Sequence, residues 1–240
     1  MNCLMNRILI AAAVSAAALQ MSYNAEAQEL VPIFGHTDKA VLTLNDGTVI
    51  NGYNRLTLDF GAVVGISEKS NGTITTYKSA DIKSLDLFPR KGEPKHYETT
   101  RATLVNTAFA GIKEPKFHPY PLLLQVVFQG KYVTGYVLDM DTPDEDNTSK
   151  RTYLYYYKVN GTGWAEIYWE KDSNQFMQGG PGMKKQLKKE FSQWPDVAVW
   201  FDTKEYSGKK FTRNPLMVLE VLDSVLARDA ESATESAAQD

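Results

Sequence analysis

The sequence predicts an α+β protein, mostly antiparallel β: a small barrel-like β-module at the N-terminus, then a second sheet packed with two or three C-terminal helices. Three observations predict it. Between residues 39 and 88, five short runs alternate apolar and polar residues and are parted by turn signals. Between residues 122 and 171, longer runs of the same kind follow in pairs. From residue 183 onward the apolar residues recur at helical spacing instead.

The chain opens on a different pattern. Arg7 precedes an apolar stretch, ILIAAAVSAAAL (8–19), and Ala25-Glu26-Ala27 gives a small-x-small sequence before Gln28. This predicts a secretory signal peptide over residues 1–27, cut between Ala27 and Gln28. The stretch is too short and Ala-rich for a permanent span, so no stable membrane span is expected after cleavage. Cys3 lies ahead of the apolar run, where it cannot be the lipid-acceptor Cys that follows one. It is also the only cysteine. The mature chain therefore excludes disulfides, thiolate nucleophiles and Cys-ligated zinc. The formal net charge is −3 and the basic residues are scattered, which gives no electrostatic footprint for nucleic acid. The expected location is the periplasm or the cell surface.

The first module is expected over residues 28–90, after a lead-in QELVPIFGHTD (28–38). KAVLTLN, TVINGYNRLTL, AVVGISE, TITTYKS and DIKSLDLF are its strand-length runs, rich in β-branched residues. Asp46-Gly47, Asp59-Phe60-Gly61, Ser70-Asn71-Gly72 and Ser79-Ala80-Asp81 separate them. Short strands with hairpin connections suggest a curled sheet of SH3 or Sm type. Asp46-Gly47 predicts a two-residue hairpin turn, because both positions of such a turn need positive φ. Gly52 falls where a curled strand must bend close to its neighbours.

PRKGEPK (89–95) breaks the pattern, and the second part is expected over residues 91–228. HYETTRATLV (96–105) reads as a strand. LLLQVVFQG and KYVTGYVLDMD turn at Gln129-Gly130-Lys131; RTYLYYYKV and GWAEIYWEK turn at residues 160–163. Met183, Leu187, Phe191 and Trp194 then form one helical stripe that Pro195 ends. Val197, Trp200 and Phe201 share a second face. Asn214-Pro215 starts a last helix, LMVLEVLDSVLARD, apolar over most of its circumference. Residues 229–240 carry no large apolar group and are expected to be disordered.

No metal site and no cofactor is predicted. DMDTPDEDN (139–147) gathers five carboxylates, but Pro143 and Asp144 break the EF-hand pattern, and a solvated hairpin tip explains the charge. His36, His96 and His118 have no partner at metal-ligand spacing. No serine sits in a G-x-S-x-G elbow. GGPGMKK (179–185) lacks the P-loop pattern.

The aromatic hairpin supplies the candidate site. Tyr155, Tyr157, Trp164, Tyr168 and Trp169 are the candidate ligand-binding residues, in a stretch that also holds Tyr153 and Tyr156. Alternation pairs Tyr155 with Tyr157 on one face and Trp164 with Tyr168, while Trp169 points the other way. One face must meet the core. The other is either a platform for a sugar, a peptide or a protein surface, or is itself covered by helices or the first module.

Several stretches together resemble the exported proteins of unknown function found in Bacteroidota. They are the signal peptide, the Gly47–Gly52 step, the D-I-K-S-L strand (81–85) and the hairpin of Phe128, Gly130 and Tyr136. The run of Tyr and the K-K-x-L-K-K-E-F helix leading into W-P complete the likeness. Trp194 stands where a Cys is often found in that group. The resemblance implies an exported α+β protein and carries over no catalytic residue. The leading expectation is a non-catalytic binding or scaffold module, with a glycan, a peptide or an envelope protein as partner. One alternative is a glycan- or cell-wall-directed hydrolase with paired carboxylates among Asp139, Asp141, Glu166 and Glu170, the last two sharing a face by alternation. Another is a small-ligand carrier that holds its ligand between the sheet and the last helices.

Overall fold

The computed structural model describes residues 38–55, 61–104, 114–143, 149–172 and 181–237. The expected signal peptide and most of the lead-in lie outside them, as does the tip of the acidic loop. The α+β class holds. One ten-stranded sheet runs in the order β10-β9-β8-β7-β6-β5-β1-β2-β3-β4. Its first strands are β1 (Asp38–Leu44), β2 (Val49–Asn54), β3 (Val63–Ser67), β4 (Thr75–Lys78) and β5 (Ile82–Phe88). They are followed by β6 (Lys95–Ala102), β7 (Leu122–Gln129), β8 (Val133–Pro143), β9 (Ser149–Val159) and β10 (Trp164–Asp172). A single 3₁₀ turn, Ser79–Asp81, separates β4 from β5.

The five expected N-terminal strands are all present, and their alternating residues explain why. β1 buries Ala40 and Leu42, and β5 buries Leu85 and Leu87. The first turn differs from the expected two-residue form. Gly47 N donates to the Leu44 carbonyl (3.0 Å) and Leu44 N to that of Thr48 (2.9 Å), so the loop holds three residues. Gly47 takes φ +89°. This is the next commonest hairpin solution, a turn closed by one left-handed residue. Asp46 fixes it by accepting from Thr48 N at 2.8 Å. Gly52 is half-buried, and a Cβ there would stand 2.5 Å from the Ser67 carbonyl oxygen. Its lack of a side chain is what lets β2 meet β3.

Residues 89–94 form the β5–β6 connection. Ser84 through Leu87 pair across it with Glu98 through Lys95, so the sheet is continuous there. β6 and β7 then divide their side chains between two cores. Tyr97 and Leu123 join Ala40, Leu42, Val64, Ile66, Ile82 and Leu85. Ala102, Leu122 and Leu124 point the other way and meet Tyr136, Leu138, Tyr156 and Ala165. Around this second core the strands close on themselves. Trp164 and Ala165 of β10 pair in parallel with Arg101 and Ala102 of β6, so β6 to β10 form a hydrogen-bonded ring. Thr103 tightens the seam, donating its N–H to Ala165 O (3.0 Å) and accepting from Ile167 N at its Oγ1 (2.9 Å).

Helices cover the opposite face of β8 to β10. They are α1 (Pro181–Glu190), α2 (Pro195–Trp200), α3 (Gly208–Arg213) and α4 (Met217–Ala237). Met183, Leu187 and Phe191 are buried as the stripe predicts, and Trp194 is half-buried against them. The helix stops at Glu190, not Trp194. A residue before proline is pushed out of the helical region, and Trp194 takes φ −116°, ψ 92°. Asp202, after α2, ties the two together by pairing with Lys184 (2.9 Å) and Lys188 (2.5 Å). α3 has no apolar stripe to announce it; its signal is Ser207, whose hydroxyl caps Lys210 N at 3.2 Å. α4 runs on through Ala237, where composition alone predicts disorder from residue 229. ARDAESATESA holds no Gly or Pro and is rich in helix-forming Ala and Glu.

α4 is locked to the ring by one carboxylate. Asp223 accepts from the backbone N–H groups of Lys131 (3.1 Å), Tyr132 (2.6 Å) and Val133 (2.9 Å) in the β7–β8 turn. A Cβ on Gly130 would stand 2.3 Å from the Asp223 Oδ1. The glycine is therefore required by the clamp.

Candidate functional site

The aromatic hairpin folds as expected, but a bulge redistributes its side chains. Glu166 lies opposite Tyr157 and Ile167 opposite Tyr156, while Trp169 lies opposite Tyr155. Tyr168 is the extra residue. A bulge shifts the phase of alternation by one. Tyr168 and Trp169 thus both join the helix-side core, instead of dividing between two faces.

Three of the five candidate residues are core. Tyr157, Tyr168 and Trp169 are buried. Tyr157 lies 5.3 Å from Phe191 and 5.9 Å from Tyr168 between ring centroids; Trp169 meets Phe211 edge-on at 5.1 Å. The Tyr168 hydroxyl donates to Pro215 O at 3.2 Å. That of Tyr157 faces Glu166 (3.3 Å) and the buried Glu190 (3.4 Å). Burial pushes both phenols well above their ordinary pKa, with nearby negative charge adding to it for Tyr157. No ligand stacks on rings enclosed in this way. Tyr155 is half-buried against Tyr168, at 6.3 Å.

Trp164 is different. It is 38% exposed and stands at the seam where the ring closes. Phe117 meets it edge-on at 5.8 Å. The Arg101 guanidinium lies over the other ring, 3.7 Å from the Phe117 centroid. Phe117 is held there by an antiparallel bridge to Thr103. Three residues from separate segments thus form a surface cluster of two rings and a cation.

The bulge also separates the expected carboxylate pair. Glu166 lies opposite Tyr157 on the helix side, whereas Glu170 lies opposite Leu154, which packs against the ring core. They do not share a face. Asp139 is held by Arg151 through two bonds of 2.8 and 2.5 Å, and the side chain of Asp141 lies outside the described ones. A groove over β1 and β2, lined by Lys39, Val41, Asn51, Tyr53, Glu68 and Phe88, has Glu68 as its only carboxylate among the described residues.

One constellation was not found by motif spacing. His96 Nδ1 lies 2.7 Å from Asp86 on β5, and its Nε2 lies 3.5 Å from Glu98. The Tyr136 hydroxyl donates to the same Glu98 at 3.1 Å. His96 and Glu98, two apart on a strand, share a face, which was the available signal. Burial pulls the imidazole pKa down, but the bonds and charges of Asp86 and Glu98 outweigh it and leave it raised. His118 is the reverse case: both ring nitrogens are without a partner among the described residues, and burial takes its pKa down to about 4. Among the described residues, no group of three or more His, Cys, Asp or Glu is placed to hold a metal ion. No helix among them is long and apolar enough to cross a membrane.

No family model matches the chain, and no curated protein or solved structure matches it significantly.

Proposed function

We propose that the chain is an exported, non-catalytic binding or scaffold module of the periplasm or cell surface, of the kind seen among exported Bacteroidota proteins. In this reading the first five strands are a barrel-like module of SH3 type. Its support is the 3₁₀ turn between β4 and β5 and the shared core of Leu42, Ile66 and Leu85. The second half presents the contact surface. The observation that carries the reading is Trp164: a large ring left 38% exposed in a hairpin whose other aromatics are mostly buried, and braced by Phe117. Large exposed rings held rigidly are contact anchors, because they give up little side-chain freedom on binding.

The test is an array of glycans and peptides probed with the protein and with Trp164→Ala. Binding lost in the variant, with the unfolding midpoint nearly unchanged, supports the module. Ligands that bind both proteins alike would move the contact surface elsewhere.

A further inference from the structure

We propose that the Trp164–Phe117–Arg101 cluster is a site for an anionic saccharide, with a sugar ring on Trp164 and its carboxylate on Arg101. The proposal rests on the module reading above and adds the class of ligand.

The argument begins with Arg101. Its side chain is exposed, yet its guanidinium is fixed over Phe117 at 3.7 Å from the centroid. An arginine stacked on a ring keeps its N–H edges directed outward in the plane of the fork. Among the described residues Arg101 makes no ion pair and no side-chain hydrogen bond, and its side chain is exposed. A planar, immobilised guanidinium with open donors matches a carboxylate in two parallel bonds. The ordering cost usual for a long cationic side chain is already met by the stacking.

Trp164 supplies the second half. Backbone pairing puts Trp164 directly beside Arg101 on the neighbouring strand. Their Cα atoms are therefore separated by one strand spacing, roughly 5 Å. That is about the width of a pyranose ring, so one sugar residue spans both. Aromatic faces stack on the C–H face of a sugar, and indole is the largest such face. The edge-to-face contact with Phe117 and the bridge from Phe117 to Thr103 prevent Trp164 from folding away. Charge complementarity selects the class: a neutral sugar uses the ring alone, and an acidic peptide uses the cation alone. A uronic acid uses both.

The experiment titrates the protein with a tetragalacturonate, a neutral maltotetraose and a tetra-aspartate peptide, following tryptophan fluorescence and indole N–H shifts. Tetragalacturonate is expected to bind alone, to shift the Trp164 indole signal, and to weaken with added salt. Arg101→Gln should cut its affinity tenfold or more, Arg101→Lys by less, and Trp164→Ala should abolish it. The β6–β10 pairing is made by backbone, so these variants are expected to keep the wild-type unfolding midpoint. Equal binding of maltotetraose, unaffected by Arg101→Gln, overturns the anionic class and leaves the module reading intact. Binding of the peptide alone overturns the saccharide. Failure of tetragalacturonate to bind at millimolar concentration overturns the proposal, while Trp164-dependent binding elsewhere in the array preserves the broader reading.

Discussion

The two halves of the sheet are stabilised by different means. The N-terminal half has a core of small and branched aliphatic side chains: Ala40, Leu42, Val64, Ile66, Ile82, Leu85 and Leu87. Its neighbouring strands β2 and β3 meet closely, as Gly52 against the Ser67 backbone shows. The helix-covered half is built on rings: Tyr157, Tyr168, Trp169, Phe191, Trp200, Phe201 and Phe211. The difference teaches how to read an aromatic hairpin. Rings on a strand form a platform only where no apolar helix follows to cover them. Here α1, the turn that follows it and α4 supply Leu187, Phe191, Val218, Leu219 and Leu222 against that face. On the outer face of β1, β2 and β5, Val49 and Phe88 are exposed, and none of the described helices covers them.

The largest effect should come from the aromatic core. Phe191 is fully buried and touches Tyr157, Tyr168, Trp194 and Phe201. Phe191→Ala should cost about 3–5 kcal/mol by lost burial and the cavity left behind. Denaturant unfolding measures this. A cost under about 1 kcal/mol would show that the helical layer adds little to the sheet.

Next comes the Asp223 clamp. Asp223→Ala leaves three backbone donors without their acceptor and should cost about 1–3 kcal/mol. Gly130→Ala drives a methyl group into the same carboxylate and should break the same contact. The double variant should therefore be much less destabilised than the sum of the two, since both remove one interaction. Additive costs would separate the turn from the helix.

In the aliphatic half, Gly52→Val should cost about 1–3 kcal/mol, because the added atoms meet the Ser67 backbone and not a flexible side-chain end. Val49→Thr, on the exposed side of the same strand, should leave the midpoint nearly unchanged. Equal effects at the two positions would contradict the close approach of β2 to β3.

Most strands and the buried helical stripe were legible in the sequence, because period-two and period-3.6 patterns are local. The misreadings at the candidate site have one physical origin. A single bulged residue, Tyr168, changes the face of every residue beyond it on β10. It moves Trp169 into the helix-side core and parts Glu170 from Glu166. Nothing in EIYWEK announces the bulge, since it is set by the pairing with β9. The Asp223 clamp and the Arg101–Phe117–Trp164 cluster were illegible for a related reason. Their members come from segments far apart in the chain, joined only once the ring closes. The His96 cluster is intermediate: Glu98 was within reach of alternation, while Asp86 required the β5–β6 register.

The smallest expected effect tests the junction between the halves. Asp86 belongs to β5, His96 and Glu98 to β6, and Tyr136 to β8, so their contacts run across the line where the two cores meet. Two carboxylates on one imidazole favour its charged form, and the folded pKa of His96 is raised above the ordinary 6.5. A raised folded pKa means that the folded protein holds the proton more tightly than the unfolded chain. The stabilisation is then fully present below pH 6.5 and is lost as pH rises through the folded value. The groups are about 40% exposed, so solvent screens them and the effect should stay within about 1 kcal/mol. His96→Gln removes the charge while keeping a polar side chain. The unfolding midpoint of the wild type should exceed that of His96→Gln by a few degrees at roughly pH 5.5, and the gap should close by roughly pH 8.5. Asp86→Asn should narrow the gap at the lower pH by removing the closest carboxylate. A gap that is constant across this range would assign His96 a packing role and leave the junction to backbone pairing alone.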